Sequence, residues 1–152
     1  MKKNKNIKVL LVDDEVAFVN TLAQRLRMRK LLVDTVYDGE QALSYIKQIE
    51  PDVIVLDLKM PGLHGIEVLR EIKKIKREIQ VIILTGHGTD KDEEEAKKLG
   101  GFDFLRKPAD IDLLLSKIKE AFSDKLARFM TAIAFAQEGE LDEARKIIKK
   151  EQ

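Results

Sequence analysis

The chain has 152 residues, of which 44% are hydrophobic, so it is long enough for one domain with its own core and a short appendage. Its 28 basic and 27 acidic residues give a formal net charge of +1, which provides no electrostatic reason to expect a nucleic-acid or membrane surface. The absence of cysteine excludes disulfides and thiolate zinc sites, and apolar runs of only a few residues exclude a membrane-spanning helix.

Five short apolar segments alternate with helical patterns along the first 122 residues. They are Ile7–Val12, Leu31–Val36, Val53–Leu56, Val81–Leu84 and Phe102–Arg106. Continuous apolar runs of this length, separated by helices, are typical of parallel strands that are buried on both faces. We therefore predict a five-stranded parallel sheet.

Each of these strands is followed by a segment in which apolar residues recur at helical spacing. The segments are Glu15–Lys30, Gly39–Ile49, Gly65–Ile75, Lys91–Leu99 and Asp110–Phe122. Pro51 should end the second helix, and Gly100 should cap the fourth. Repeated strand–helix units with right-handed crossovers place helices on both faces of the sheet, which predicts an α/β, doubly wound domain over residues 1–122.

The residues after Phe122 carry no strand pattern, and we predict a separate helical extension over residues 123–152. Apolar side chains form two helical stripes on either side of a turn-like segment at residues 138–140. The stripes consist of Leu126, Phe129, Met130 and Ile133, then of Leu141, Ala144, Ile147 and Ile148. No proline or glycine interrupts residues 122–125, so the last helix of the domain can run directly into this hairpin.

The hairpin resembles a single tetratricopeptide-type unit around residues 134–144. A single repeat cannot bury its own apolar faces. The hairpin therefore either caps the domain or offers a surface for dimerisation or for docking of a partner, and the sequence leaves both alternatives open.

Polar residues follow four of the five predicted strands at the point where each strand ends. Asp13 and Asp14 follow the first strand, Asp57 the third, Thr85 the fourth and Lys107 the fifth. In an open α/β sheet the functional crevice lies at the carboxyl ends of the strands. We therefore expect these five side chains to meet.

This set of side chains suits phosphoryl transfer. A carboxylate such as Asp57 can act as a nucleophile toward phosphorus, but three carboxylates in one crevice repel one another. A hard cation such as Mg²⁺ resolves that conflict because it prefers oxygen ligands. Lys107 can neutralise phosphoryl oxygens and the Thr85 hydroxyl can donate a hydrogen bond to them, so positioning and charge neutralisation carry the chemistry.

Four motifs together resemble the receiver domain of two-component response regulators, the CheY-like family. They are Val12-Asp13-Asp14-Glu15, Asp57 with Met60-Pro61-Gly62, Thr85-Gly86, and Lys107-Pro108. The resemblance covers residues 6–122. It implies a flavodoxin-like fold with strand order 2-1-3-4-5.

The resemblance also implies the roles of the site residues. Asp57 would accept a phosphoryl group from a histidine kinase or a phosphotransfer protein. Asp14 would bind Mg²⁺ directly and Asp13 through water, and Asp57 and the backbone carbonyl of Lys59 would complete the site. Lys107 would contact the phosphoryl group. The chain would then be a signalling phosphoacceptor that assists its own phosphorylation and slow dephosphorylation rather than an enzyme.

A conformational switch is the second implication of the resemblance. Thr85 would move toward the phosphoryl group, and Phe104 would rotate into the vacated space. The Lys107–Pro108 peptide bond would be cis, and Lys59 and His87 would tune the phosphoryl lifetime. The output would be contact with a downstream protein partner that the sequence does not name, and a homodimer is one option. We expect a cytoplasmic protein that binds neither nucleic acid nor membrane.

Other interpretations compete with this one. An aspartate after a strand is often only a cap or turn residue, and each motif taken alone is weak. A degenerate receiver would act unphosphorylated as a scaffold. A flavodoxin-type electron carrier would not place Asp13-Asp14-Glu15 where a flavin phosphate binds, and a phosphohydrolase with an aspartyl intermediate would carry an aspartate at the position of Lys59.

Overall fold

Strands and helices alternate along the computed structural model, which describes residues 6–137 and 141–150. The strands are β1 (Lys8–Val12), β2 (Leu32–Val36), β3 (Val53–Leu56), β4 (Gln80–Thr85) and β5 (Asp103–Arg106). The helices are α1 (Val16–Met28), α2 (Gly39–Gln48), α3 (Gly65–Ile75), α4 (Asp90–Lys98), α5 (Ile111–Gln137) and α6 (Leu141–Lys150). The five predicted strands and the first four predicted helices are confirmed, with ends that differ by at most two residues.

The five strands form one parallel sheet in the order β2-β1-β3-β4-β5, which confirms the α/β doubly wound fold and the strand order. In the register of the sheet, Val12 at the end of β1 lies between Val36 and Leu56, and Leu56 at the end of β3 lies beside Ile83. The strands therefore end almost level, so the residues that follow them share one edge.

Alternate residues of the central strands point into two separate cores, as the two-residue period of a strand requires. Leu10 and Val12 pack with α2, α3 and α4 on one face of the sheet. Val9 and Leu11 pack with α1 and α5 on the other face. All four side chains are at most 1% exposed, which explains why these strands are apolar throughout.

The last helix of the domain does not end at Phe122. α5 continues without a break to Gln137, as the uninterrupted sequence allowed, and α6 packs against it. The predicted turn at residues 138–140 lies outside the described residues. The tetratricopeptide resemblance and the domain boundary at residue 122 stay predictions.

Among the helices in residues 6–137 and 141–150, none combines the length and the apolar character that a membrane span requires.

Two polar contacts tie α5 to the sheet region well before the helix ends at Gln137. The side chain of Gln80 donates to the Ala121 carbonyl at 2.9 Å, and Lys125 pairs with Asp52 at 3.2 Å. We expect a chain that ends at Arg128 to unfold cooperatively in urea, with a free energy of unfolding within about 2 kcal/mol of the full chain.

A chain that ends at Leu113 is the matched control. It lacks the buried residues Leu114, Ile118 and Ala121 and should not fold. Loss of cooperative unfolding in the chain that ends at Arg128 would contradict the view that residues 129–152 are an appendage.

Candidate functional site

Three carboxylates lie together at the carboxyl edge of the sheet. Asp13, Asp14 and Asp57 each place one carboxylate oxygen within 4.8 Å of the others. Asp13 and Asp57 are both only 4% exposed. The sheet ladder fixes their backbones, because the Asp57 amide donates to Val12 at 3.0 Å and the Asp13 amide donates to Val36 at 3.2 Å. The predicted meeting of these aspartates is thus present in the structure.

Asp57 carries a buried oxygen, Oδ1, that has no hydrogen-bond partner among the described residues. A buried acceptor without a partner is costly, and few native polar groups are left in that state. Asp57 clusters with two further carboxylates, those of Asp13 and Asp14. This donor set fits a hard divalent cation such as Mg²⁺, which binds through carboxylate oxygens and water.

The Lys107 ammonium lies over this acidic cluster. Its Nζ atom is 2.6 Å from Asp13 Oδ2, 2.7 Å from Glu15 Oε1 and 3.8 Å from Asp57 Oδ2. It also lies 4.4 Å from the centre of the Phe18 ring, and its side chain is only 13% exposed. The peptide bond that follows, Lys107–Pro108, is cis, as the sequence resemblance implied.

Burial raises the pKa of the Asp13 carboxyl, and the charge of Asp57 adds to that effect. The hydrogen bonds from Lys107 and from the Glu15 amide offset it only in part. The folded state therefore favours the protonated form of Asp13. This contribution to stability is present at low pH and is lost as the pH rises through the raised pKa. Burial also disfavours the Lys107 ammonium, but hydrogen bonds to Asp13 and Glu15 outweigh this and raise the pKa of Lys107.

Thr85 and Phe104 occupy neighbouring positions beside the cluster. The Thr85 carbonyl accepts from the Lys107 amide at 2.9 Å, and the Thr85 hydroxyl accepts from the His87 amide at 3.3 Å. Thr85 is fully buried, and Phe104 is 9% exposed within the core formed with α2, α3 and α4. A Cβ atom on Gly88 would lie 2.4 Å from the Phe104 ring and 2.9 Å from the Thr85 methyl group, so Gly88 is packed against both side chains.

Lys59 and the two histidines take no direct part in the cluster. Lys59 is exposed in the loop between β3 and α3, and the role of its carbonyl as a metal ligand stays a prediction. His87 is exposed, as expected for a loop residue. His64 caps α3, because its Nδ1 atom accepts from the Ile66 amide at 3.2 Å.

Sequence reasoning assigned no role to several residues that surround the site. Glu15 was recognised only as part of a motif, and Phe18 was not singled out. The signal for Phe18 in the sequence is an aromatic residue that lies outside the apolar stripe of α1. In the structure its side chain is exposed. Arg106 was also missed; it donates to the Gly88 carbonyl and stacks 5.3 Å from the Phe104 ring centre.

Comparison with known proteins gives a consistent family assignment. The model of the response regulator receiver domain family matches residues 9–119. Sporulation initiation phosphotransferase F of Bacillus subtilis is 35% identical over 115 residues, which is 76% of this chain and 93% of that protein. Transcriptional regulatory protein CutR of Streptomyces coelicolor is 35% identical over 113 residues, 74% of this chain and 52% of that protein.

Solved structures show the same similarity. A response regulator receiver domain protein from Clostridium thermocellum is 36% identical, with a TM-score of 0.76 that covers 80% of this chain and 98% of that one. A CheY-like receiver domain from Methanospirillum hungatei, 24% identical, shares the fold with a TM-score of 0.78, covering 81% of this chain and 98% of that one.

The carboxylate cluster should cost the metal-free protein stability. Asp57→Asn removes one of three mutually repelling charges and keeps the size of the side chain. We expect its free energy of unfolding in urea, measured with a chelator present, to exceed that of the wild type by about 1–2 kcal/mol.

Asp52→Asn provides the control, because Asp52 lies just before the opposite end of β3 and pairs with Lys125 and the Lys8 amide. It should be neutral or destabilising. An Asp57→Asn protein less stable than the wild type would show that the cluster is not under electrostatic strain.

Proposed function

Because the chain belongs to the response regulator receiver domain family, we propose that it is the phosphoacceptor of a two-component phosphorelay and that Asp57 carries the phosphoryl group. One observation above all supports this: Asp57 is buried with an unpartnered oxygen, beside two further carboxylates and a lysine. Receiver domains receive phosphoryl groups from histidine kinases or phosphotransfer proteins, which are the partners proposed here.

The proposed transfer moves a phosphoryl group from a phosphohistidine to Asp57. An Asp57 oxygen forms the new O–P bond while the P–N bond breaks, and the histidine nitrogen keeps the electron pair and takes up a proton. Lys107, already 3.8 Å from Asp57 Oδ2, offsets the charge on the phosphoryl oxygens. The protein contributes position and charge neutralisation, which suffice for this chemistry.

Asp13, Asp14, Asp57 and the carbonyl of Lys59 are the proposed ligands of Mg²⁺. When bound, the ion supplies the positive charge that lets an anionic phosphoryl group approach three carboxylates. Asp13 must be ionised to act as a ligand. Because the pKa of Asp13 is raised, its carboxyl protonates at a higher pH than an ordinary carboxyl does. As the pH falls, ion binding should therefore begin to weaken at that higher pH.

Thr85 and Phe104 are the proposed switch. A phosphoryl group on Asp57 adds charge and acceptor oxygens, to which the Thr85 hydroxyl can donate its proton; in the present structure this hydroxyl accepts from the His87 amide. The Phe104 ring packs against Gly88 beside Thr85, so a shift of Thr85 changes the space that the ring occupies. The output is a changed protein surface on the last two strand–helix units, β4–α4 and β5–α5, to which a partner binds.

The relatives support this function more than its competitors. The Bacillus subtilis relative, of which the chain covers 93%, is named a phosphotransferase, which supports passage of a phosphoryl group between proteins. The chain covers only 52% of the CutR protein, so a transcriptional role is not carried over. The presence of all five predicted site side chains at one edge favours the phosphoacceptor over an unphosphorylated scaffold.

Incubation with acetyl phosphate tests the proposal. The wild type should gain one phosphoryl group in intact-mass spectra only when Mg²⁺ is present, because the carboxylates otherwise repel the donor. Asp57→Asn should gain none, whereas Asp52→Asn, changed just before the opposite end of the same strand, should behave as the wild type. Phosphoramidate, whose P–N bond resembles that of phosphohistidine, serves as a second donor, and failure of the wild type with both donors would refute the proposal.

Gly88→Ala tests whether the absence of a side chain at Gly88 determines the position of the Phe104 ring. The added methyl group would lie 2.4 Å from the Phe104 ring, so the ring should move outward toward solvent. The chain contains no tryptophan, so Phe104→Trp provides a single fluorescent reporter. We expect Gly88→Ala in that background to shift the emission to longer wavelength and to reduce stability by about 1–3 kcal/mol.

Gly86→Ala is the matched control, since a Cβ there would meet only the Lys107 stem at an ordinary 3.9 Å. It should leave the emission unchanged. If Gly88→Ala also leaves the emission unchanged, the position of Phe104 does not depend on Gly88.

A further inference from the structure

The Lys107 ammonium is held on one side of the site. It makes short contacts to Asp13 and Glu15, at 2.6 and 2.7 Å, but lies 3.8 Å from Asp57, which is beyond hydrogen-bond distance. The phosphoacceptor is therefore the carboxylate with which Lys107 interacts least closely.

Among the described residues, the Glu15 carboxylate makes no hydrogen bond or ion pair other than the one with Lys107. It occupies the N-cap position of α1, yet its side chain makes no capping hydrogen bond. Its backbone amide is anchored by Asp13 Oδ1 at 2.9 Å, which fixes the direction from which its carboxylate reaches Lys107. Glu15 is not one of the three carboxylates that cluster as a cation site.

Phe18 holds the ammonium on the same side. It lies nearly one helical turn after Glu15 on α1, and its ring centre is 4.4 Å from Nζ, within the range of a cation–π contact. Two side chains at the start of α1, the charged N-cap residue Glu15 and the aromatic Phe18, therefore draw Lys107 toward this helix and away from Asp57.

From this geometry we infer that Glu15, assisted by Phe18, is a positioning residue that competes with phosphorylated Asp57 for the Lys107 ammonium. The inference rests on the proposed function of Asp57. Asp13 cannot release the ammonium without consequence, because its carboxylate also serves the cation site. Glu15 is the partner that Lys107 can leave when charge is added at Asp57, and its attraction sets how readily the phosphorylated state forms.

Neutralising Glu15 should therefore favour the phosphorylated state. Glu15→Gln keeps the length of the side chain and an acceptor oxygen but removes the charge. We expect it to bind beryllofluoride, a stable mimic of the phosphoryl group, about two- to fivefold more tightly than the wild type in the presence of Mg²⁺, as suits a partly exposed ion pair. Phe18→Leu should tighten binding in the same direction by about twofold or more.

Two controls separate this effect from a general change of charge. Glu71→Gln removes the same charge from α3, where Glu71 pairs only with Lys74 among the described residues, and should leave beryllofluoride affinity unchanged. In a Lys107→Met background, Glu15→Gln should no longer tighten binding, because the residue through which it acts is gone.

A second readout does not involve phosphorylation. In urea denaturation with a chelator present, Glu15→Gln should lower the unfolding midpoint more in the wild-type background than in the Lys107→Met background. This coupling measures the Glu15–Lys107 contact itself.

The outcomes distinguish the two claims. If the wild type binds beryllofluoride but Glu15→Gln binds no more tightly, or gains equally without Lys107, the inference is overturned while the proposed function stands. If the wild type does not bind beryllofluoride at all, the proposed function fails and the inference fails with it. Tighter binding that depends on Lys107, together with coupling in urea, supports both.

Discussion

The properties of the site depend on the repulsion among three carboxylates that are held at one edge of the sheet. Asp13, Asp14 and Asp57 would separate if their backbones were free, but the parallel ladder fixes two of them at the ends of β1 and β3. The cores on both faces of the sheet supply the stability that holds this unfavourable arrangement. Lys107 offsets only part of the charge, which leaves the site suited to a cation.

At the same edge of the sheet, the acidic cluster is connected to the ends of β4 and β5. The Lys107 amide donates to the Thr85 carbonyl, so the end of β4 and the residue that follows β5 are tied together. Phe104 lies two positions from Arg106, which ties the segment after β4 to β5 through the Gly88 carbonyl. A change of charge at Asp57 therefore acts on a connected set of contacts rather than on a single side chain.

The sequence predicted most of the sheet because the central strands β1, β3 and β4 are buried on both faces and consist mostly of apolar residues, whereas β2 and β5 lie at the edges and are partly exposed. It also placed Asp13, Asp57 and Lys107 together, since parallel strands end at a common edge. It did not predict the contacts of Glu15 and Phe18 with Lys107, which depend on how α1 is rotated after its first residue. The length of α5 was left open for a related reason: no glycine or proline marks an end, so only packing determines where the helix stops.

Magnesium-dependent stability is the measurement that tests most directly whether the carboxylate cluster is a cation site. The melting temperature of the wild type should rise as Mg²⁺ is titrated, since a ligand that binds only the folded state stabilises it. The rise should be smaller in Asp13→Asn, which removes one ligand and keeps the side-chain size. A wild-type melting temperature that does not respond to Mg²⁺, or one that rises equally in Asp13→Asn, would contradict the account.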